Sequence, residues 1–455
     1  MFRRKKYDYD LIVIGSGAGG SVGARYAASL GKKVAIFETA DIGGECPNWA
    51  CIPTKALLKS ASVYETIQTA HIFGMNVPDL KVDFAHIHRR KNLVVSRTGA
   101  SHGEQSFENT GIHVIKHKAM FVSPHEVEAH GKIYSAHTFL LASGTDVLIP
   151  PVPGLQEAGY ITFKQAVNLT EPPRSLFILG AGAVGCEFAQ IFSIFGTQVT
   201  IAARSKLLSN EDVEVQELVQ ALFENDGITV LTNTSVTKVE IKGKHKVVFY
   251  KHGEHEKSIE VEEILVATGK VPSLSFGPEK AGIRTNQSGI IVNKYLQTSA
   301  SHIYAAGDLV GPYQFTHTAD YQSGVAAKNA FSRKKTPVDY RAVTRCVFVM
   351  PEVASVGINE EQAQQKGIRY KKGLAPIAIL GRANTSEAFD GFVKVLVDSN
   401  GTLIGGSIVA PRAGEMIHEI ALAIQARIKA QVLAEMIHAF PTYSEAVKFA
   451  CSNIE

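Results

Sequence analysis

Two cysteines carry the most chemistry in this chain. Cys46 and Cys51 have four residues between them in Gly43-Gly44-Glu45-Cys46-Pro47-Asn48-Trp49-Ala50-Cys51-Ile52-Pro53-Thr54-Lys55. That gap does not match a CxxC zinc half-site and no second pair exists, so no metal centre is expected. Pro53 marks a helix start, and a helix N-terminus favours a thiolate at Cys51. Lys55, four residues after Cys51, falls on the same helical face, where its ammonium can stabilise negative charge on sulfur or on a reduced ring. Cys186 and Cys346 read as packing residues, and Cys451 stands alone near the end of the chain.

Two glycine-rich turns come next. The apolar run Leu11-Ile12-Val13-Ile14 ends in Gly15-Ser16-Gly17-Ala18-Gly19-Gly20, followed by a helical pattern to Leu30 and the strand Val34-Ala35-Ile36-Phe37. The arrangement recurs 165 residues later: Leu176 to Leu179, then Gly180-Ala181-Gly182-Ala183-Val184-Gly185, a helix to Phe195, and Val199 to Ala202. Strand, GxGxxG, helix and strand form a dinucleotide-binding unit. The glycines at 15 and 180 make the tight turn. Those at 17 and 182 let backbone approach a pyrophosphate, and those at 20 and 185 let the helix pack on the strand.

The residue ending the second strand reads the ribose. In the first copy it is Glu38, which can accept hydrogen bonds from unphosphorylated ribose hydroxyls. In the second it is Ala203, followed by the cation Arg204, which suits a 2′-phosphate. The second site is therefore expected to prefer NADPH, with NADH possible.

Positioning these groups takes an α/β chain with two Rossmann-like units and a C-terminal α+β domain. Residues 1–148 form the first unit, ending in a β-rich region (Val114 to Leu141) and Ser143-Gly144. A Pro-rich linker from Ile149 opens the second unit, 149–270, which closes on a strand ending in Gly269. Residues 271–342 return to the first unit and carry the apolar strand ending in Gly307-Asp308. From 343 to 455 the pattern changes to strands, among them Val347-Phe348-Val349, and two helices near the C-terminus.

Composition sets the outer limits. With 455 residues the prior is three domains. Lys and Arg number 47 against 43 Asp and Glu, a net charge of +4, too even for a nucleic-acid binder. Five cysteines exclude a disulfide-stapled secreted scaffold. The basic start Met1-Phe2-Arg3-Arg4-Lys5-Lys6 reads as a solvated tail rather than a signal peptide, and the Leu176 to Phe195 stretch reads as strand plus helix rather than a membrane span. A cytoplasmic protein without membrane or nucleic-acid partners is expected.

With these motifs the sequence resembles the flavin-dependent pyridine nucleotide–disulfide oxidoreductases, the group of dihydrolipoamide dehydrogenase, mercuric reductase and glutathione reductase, along essentially its whole length. The cysteine segment is similar to GGxCxNxGCxPxK, with Ala50 in place of the usual glycine. The resemblance implies FAD on the first unit, with Gly44, Lys55, Ser143, Gly144 and Gly307 around it and Asp308 at its ribityl chain. It implies a nicotinamide nucleotide on the second unit, with Glu187 pairing with the lysine near the flavin ring, and a homodimer formed by the third domain. It further implies a redox-active Cys46–Cys51 disulfide. Electrons pass from NADPH through FAD to Cys51, and Cys46 attacks the acceptor.

The resemblance breaks at the base. Disulfide-reducing members carry His-Pro-Thr with a glutamate five residues after the histidine. Here the stretch is His438-Ala439-Phe440-Pro441-Thr442-Tyr443-Ser444-Glu445, so Glu445 is present but the base position is Phe440. His438, two positions away, is expected to be a helix-end or surface histidine. Mercuric reductases share an aromatic residue at the base position and an Ala-Arg-Ser stretch like Ala203-Arg204-Ser205, but carry a C-terminal cysteine pair where this chain has only Cys451. The expected acceptor is a small disulfide or a soft metal ion. Three alternatives stand beside that reading: a mercuric reductase proper, a diaphorase or quinone reductase, and a flavoprotein subunit of a partner complex.

Overall fold

The computed structural model describes residues 7–98 and 103–455; the basic tail lies outside them. The chain divides into two compact units.

The first comprises residues up to Ala56, His88–Leu148 and Gly269–Val338. Its parallel sheet runs His113–Ile115, Val34–Phe37, Tyr9–Ile14, Lys132–Leu141, with Ile303–Ala305 pairing Lys132–Leu141. Both faces are covered, so its strands are continuous apolar runs rather than alternating ones. Leu11, Val13, Val34 and Ile36 pack on one face with Ala24, Ala27 and Ala326 of two helices. Ile12, Ile14, Ala35 and Phe37 pack on the other with Phe121, Val127 and Phe276.

The second unit comprises Leu57–Ile87, Ile149–Thr268 and Asp339–Glu455. It holds a parallel sheet in the order Thr229–Leu231, Gln198–Ala202, Ser175–Leu179, Glu263–Val266. Beside it are an antiparallel meander, Thr234–Lys242, His245–His252 and His255–Val261, and a five-stranded antiparallel sheet contributed by residues beyond 343. The helices Ala413–Ala426 and Glu445–Ser452 pack on that last sheet through Met416, Ile417, Ile420, Ala446 and Val447. A third short helix, Ala430–Glu435, joins them where two helices were expected.

One expected strand is displaced. Pairing runs over Thr344–Val347, not to Val349. The next amides are taken by side chains of the helix Ala183–Ile194: Phe348 N–H donates to Glu187 Oε1 at 3.1 Å and Met350 N–H to Gln190 Oε1 at 2.7 Å. Side-chain capture of these donors ends the ladder.

Candidate active site

The two glycine turns repeat each other in atomic detail. Gly15 has φ +101° and Gly180 φ +106°, and a Cβ on either would meet a carbonyl, Ala142 O at 2.2 Å and Ala267 O at 2.3 Å. A Cβ on Gly20 or Gly185 would lie 2.0 Å from the carbonyl of Gly15 or Gly180. The helices that follow, Ala18–Ser29 and Ala183–Ile194, have glycine at the N-cap and no side-chain cap, which leaves their first amides for an anion. Both turns thus fit a dinucleotide pyrophosphate.

Glu38 is anchored at the end of its strand. One carboxylate oxygen accepts from Ser16 N–H and Ser16 Oγ–H, both at 2.8 Å; the other accepts from the amides of Thr39 and Ala40 at 2.7 and 2.9 Å. Ser16 Oγ in turn accepts from Gly43 N–H at 3.0 Å, tying the phosphate turn to the cysteine turn. A Cβ on Gly44 would stand 2.7 Å from Gly17 Cα, so the two turns touch backbone to backbone. Asn48 braces the cysteine turn by donating to Gly44 O at 2.8 Å. In the second copy Ala203 is buried and Arg204 exposed.

Cys51 is the first residue of the helix Cys51–Gln68. Cys46 and Cys51 are both half-buried. The Cys46 thiol is pushed far up from its ordinary value, first by its hydrogen bond to Cys51 and then by burial, while Thr316 and the Lys55 ammonium pull the other way. Thr316 Oγ1 lies 3.6 Å from Cys51 Sγ.

Asp308 is held by Thr145 Oγ1 at 3.4 Å and by Lys270 Nζ at 3.5 Å, and Lys270 also pairs with Glu45, the neighbour of Cys46. Neither Lys270 nor Thr316 was singled out from the sequence. The signal for Lys270 is its place directly after Gly269; Thr316 has no local signal. Ser143, Gly144 and Gly269 sit where the chain leaves and re-enters this unit. Ser143 Oγ donates to Ser273 O at 2.7 Å, Leu148 N–H donates to Gly269 O at 2.9 Å, and the strands Thr145–Val147 and Lys270–Pro272 pair between them. Gly307 N–H donates to Gln322 Oε1 at 2.7 Å, fixing the turn that carries Asp308.

These features decide the class of protein. Residues 9–323 match the family described as pyridine nucleotide-disulphide oxidoreductase, and residues 343–451 match its dimerisation domain. The chain belongs to the pyridine nucleotide-disulphide oxidoreductases. It is 32% identical over 452 residues to a mercuric reductase from Staphylococcus aureus, covering 98% of this chain and 83% of the relative. It is also 32% identical over 446 residues to the dihydrolipoyl dehydrogenase of Bacillus subtilis strain 168, covering 96% of each. Among solved structures it superposes on the HOCl-induced flavoprotein disulfide reductase RclA from Escherichia coli with a TM-score of 0.87 at 29% identity, covering 98% of this chain and 99% of that one. This oxidoreductase is thus a class I, flavin-dependent enzyme of the lipoamide dehydrogenase and mercuric reductase group. The family binds FAD and a pyridine nucleotide, and the dimerisation domain implies a homodimer. Among the described residues no helix is long and apolar enough to cross a membrane.

In the second unit Glu187 is buried and accepts from Phe348 N–H. Phe440 is 79% exposed. Glu445 Oε2 accepts from Thr442 N–H at 3.1 Å. His438, expected to be a helix-end or surface histidine, lies just past the end of the helix Ala430–Glu435, and its side chain is buried rather than at the surface. Its ring is 5% exposed and bound on both edges, by Glu419 Oε1 at 2.9 Å and Met436 O at 3.2 Å. Cys451 is buried in the core of the C-terminal sheet and burial pushes its thiol up to about 12, which leaves a packing residue. Asp212, Glu214 and Glu360 bring carboxylate oxygens together as a cation site would, but the ammonium of Lys394 pairs with all three.

Proposed function

We propose that the enzyme is an NADPH-preferring reductase that delivers electrons from the Cys46–Cys51 pair to a small soft acceptor, with a thiophilic metal ion favoured over a disulfide. The observation that carries this reading is the arrangement at residues 440–445. Thiol–disulfide exchange needs a base to take and return a proton, and a positioned base contributes about 10²–10⁴-fold. Phe440 cannot hold a proton, and the Glu445 carboxylate that would orient a base accepts a backbone amide instead. A soft metal ion takes thiolate ligands without that proton.

The bound flavin supplies two-electron exchange between a nicotinamide and a disulfide. The chain's own residues supply the rest. Gly15, Gly17, Gly20 and Glu38 seat the first dinucleotide, and Asp308 offers a carboxylate toward its ribityl chain. Gly180, Gly182, Gly185 and Arg204 seat the second. Cys51 holds thiolate charge at a helix N-terminus, Lys55 supports it one turn along the same helix, and Cys46 is the attacking sulfur.

A second reading, a small disulfide as acceptor, is supported by the equal identity to a dihydrolipoyl dehydrogenase. Cu(II) joins Hg(II) as a metal to test, because a Cu(II) complex of the Escherichia coli disulfide reductase is among the matched structures. The test is kcat/KM with Hg(II), Cu(II), lipoamide, glutathione disulfide and a quinone, for wild type, Cys46→Ser and Cys51→Ser. Metal turnover lost in both variants supports the proposal. Faster turnover of lipoamide than of any metal selects the second reading, and quinone turnover surviving loss of both cysteines rejects the dithiol scheme.

A further inference from the structure

In the second unit the strand Gln198–Ala202 is joined to the helix Val213–Asn225 by residues 203–212. That segment is held at its start, its middle and its end. At the start Thr234 N–H donates to Ala203 O and Asn233 N–H to Ser205 O, both at 2.9 Å. In the middle Leu208 N–H donates to Ala181 O at 2.9 Å, inside the second glycine turn. At the end Ser407 Oγ–H donates to Asp212 Oδ2 at 2.7 Å, Lys394 Nζ lies 3.4 Å from Asp212 Oδ1, and Arg345 Nε donates to Glu211 Oε1 at 3.3 Å.

The grip at the end comes from one row of the C-terminal sheet. Arg345, Ser355, Ser407 and Lys394 are register partners across the strands Thr344–Val347, Glu352–Gly357, Leu403–Ala410 and Phe392–Asp398, so they share a face. Their chain neighbours Ala354, Val393, Val395 and Ile408 lie on the other face, in the apolar core. Ser355, Ser407 and Lys394 are buried, and the contact is not fully satisfied: Ser355 Oγ and Glu211 Oε2 are buried without a hydrogen-bond partner. An apolar contact would hold these parts together at lower cost. What the polar row adds is direction, because a bond of 2.7 Å fixes Asp212, the N-cap of its helix, in one place.

Leu208 depends on that fixed end. Its φ is +46°, a left-handed conformation that a leucine holds only where its surroundings impose it. Glu211, the residue before Asp212, donates its N–H to Leu208 O at 2.8 Å. A short chain of contacts therefore runs from the sheet through Asp212, Glu211 and Leu208 to the Ala181 carbonyl. We propose that Ser407 is a positioning residue for the nucleotide site: through this chain it holds Ala181, and with it the backbone of Gly180 and Gly182, in the arrangement that seats a dinucleotide pyrophosphate. The effect falls equally on nucleotides with and without a 2′-phosphate. Arg204 stands between Ala203 and Ser205, whose own bonds to Thr234 and Asn233 do not pass through the sheet.

The proposal rests on the reading that places the nicotinamide nucleotide on the second glycine turn, and its test separates the two. Dissociation constants of NADP+ and NAD+ are measured by calorimetry on the oxidised, flavin-loaded protein, beside thermal unfolding, for three variants. Ser407→Ala removes the bond to Asp212. Val395→Ala, on the apolar face of the strand that carries Lys394, loosens the same sheet without touching the polar row. Gly182→Ala puts a methyl group into space that is open in the protein and that the pyrophosphate would take. The expected result is that Ser407→Ala weakens both nucleotides by the same factor, about threefold to tenfold, while Val395→Ala lowers the unfolding midpoint and leaves both constants within about twofold of wild type. Unchanged constants in Ser407→Ala, with Gly182→Ala weakened, overturn the proposal. So does equal weakening in Val395→Ala, which assigns Ser407 to general stability, and so does weakening of NADP+ alone, which places its action at Arg204. Unchanged binding in Gly182→Ala rejects the placement of the nucleotide itself.

Discussion

The Glu445 carboxylate accepts the backbone N–H of Thr442 at 3.1 Å, closing the turn that follows Phe440. In the proposed reading this is the glutamate that would orient a histidine base at position 440. Phe440→His is expected to raise kcat/KM for a small disulfide by about 10–10²-fold, below the full worth of an evolved base because Glu445 must change partners. Turnover of a soft metal ion should change by less than about twofold. Steady-state assays with lipoamide and Hg(II) check both, and no gain with lipoamide would show that the missing base is not what limits disulfide turnover.

Arg204 lies exposed after the buried Ala203, and the proposed reading seats a 2′-phosphate there. Arg204→Ala is expected to raise KM for NADPH about 10–10²-fold and KM for NADH by less than about threefold, the loss of a charge-assisted, bidentate contact. Equal changes for the two nucleotides would remove the basis for NADPH preference.

Lys270 links Glu45 to Asp308. Burial pushes its ammonium pKa down, but the two carboxylates outweigh this and hold it above the ordinary lysine value. Its stabilising contribution is therefore complete at neutral pH and is lost only as pH rises through that elevated value. Lys270→Met should destabilise the protein by about 1–3 kcal/mol by leaving two half-buried acids without their cation. Glu45→Gln added to Lys270→Met should recover part of that loss. Thermal unfolding of the single and double variants measures it, and additive losses would deny the coupling.

Lys394, 1% exposed, bonds Asp212, Glu214 and Glu360. Burial raises the Glu360 carboxyl, but Lys394, Tyr370 and Lys372 bring it down to about 2 from an ordinary 4.5. A depressed carboxyl stabilises the fold fully above its unfolded value and ceases to do so as pH falls through its folded one. Stability should thus decline between about pH 4.5 and about pH 2, and Glu360→Gln should flatten that decline. Lys394→Met should cost about 3–5 kcal/mol at neutral pH, since it strands buried negative charge. Urea unfolding across pH tests both, and an unaltered acid slope in Glu360→Gln would rule out the assignment.

What could be read from the sequence was whatever steric necessity writes locally. Gly15 and Gly180 are glycine because a carbonyl occupies the space of a Cβ, and the residues just beyond the equivalent strands differ, Glu38 in one unit and Ala203-Arg204 in the other. The cysteine segment was legible for the same reason, with its Gly44 and Asn48 serving one compact turn. The helix N-terminus at Cys51 followed from Pro53. Thr316 is not legible, because its partner lies 265 positions away and nothing beside it announces the meeting; Lys270, 225 positions from Glu45, has only its place after Gly269 to mark it. The meander Thr234–Val261 escaped notice because its strands keep few side chains buried and show little apolar alternation. The strand expected to reach Val349 stopped short because Glu187 and Gln190, far away in the chain, claim its next amides.

Gly44 rests against Gly17 with no room for a single carbon between them. The floor beneath the first nucleotide is therefore also the back wall of the thiol loop. If the flavin seats there as proposed, a methyl group at position 44 is expected to loosen it and to misdirect the sulfurs in the same molecule.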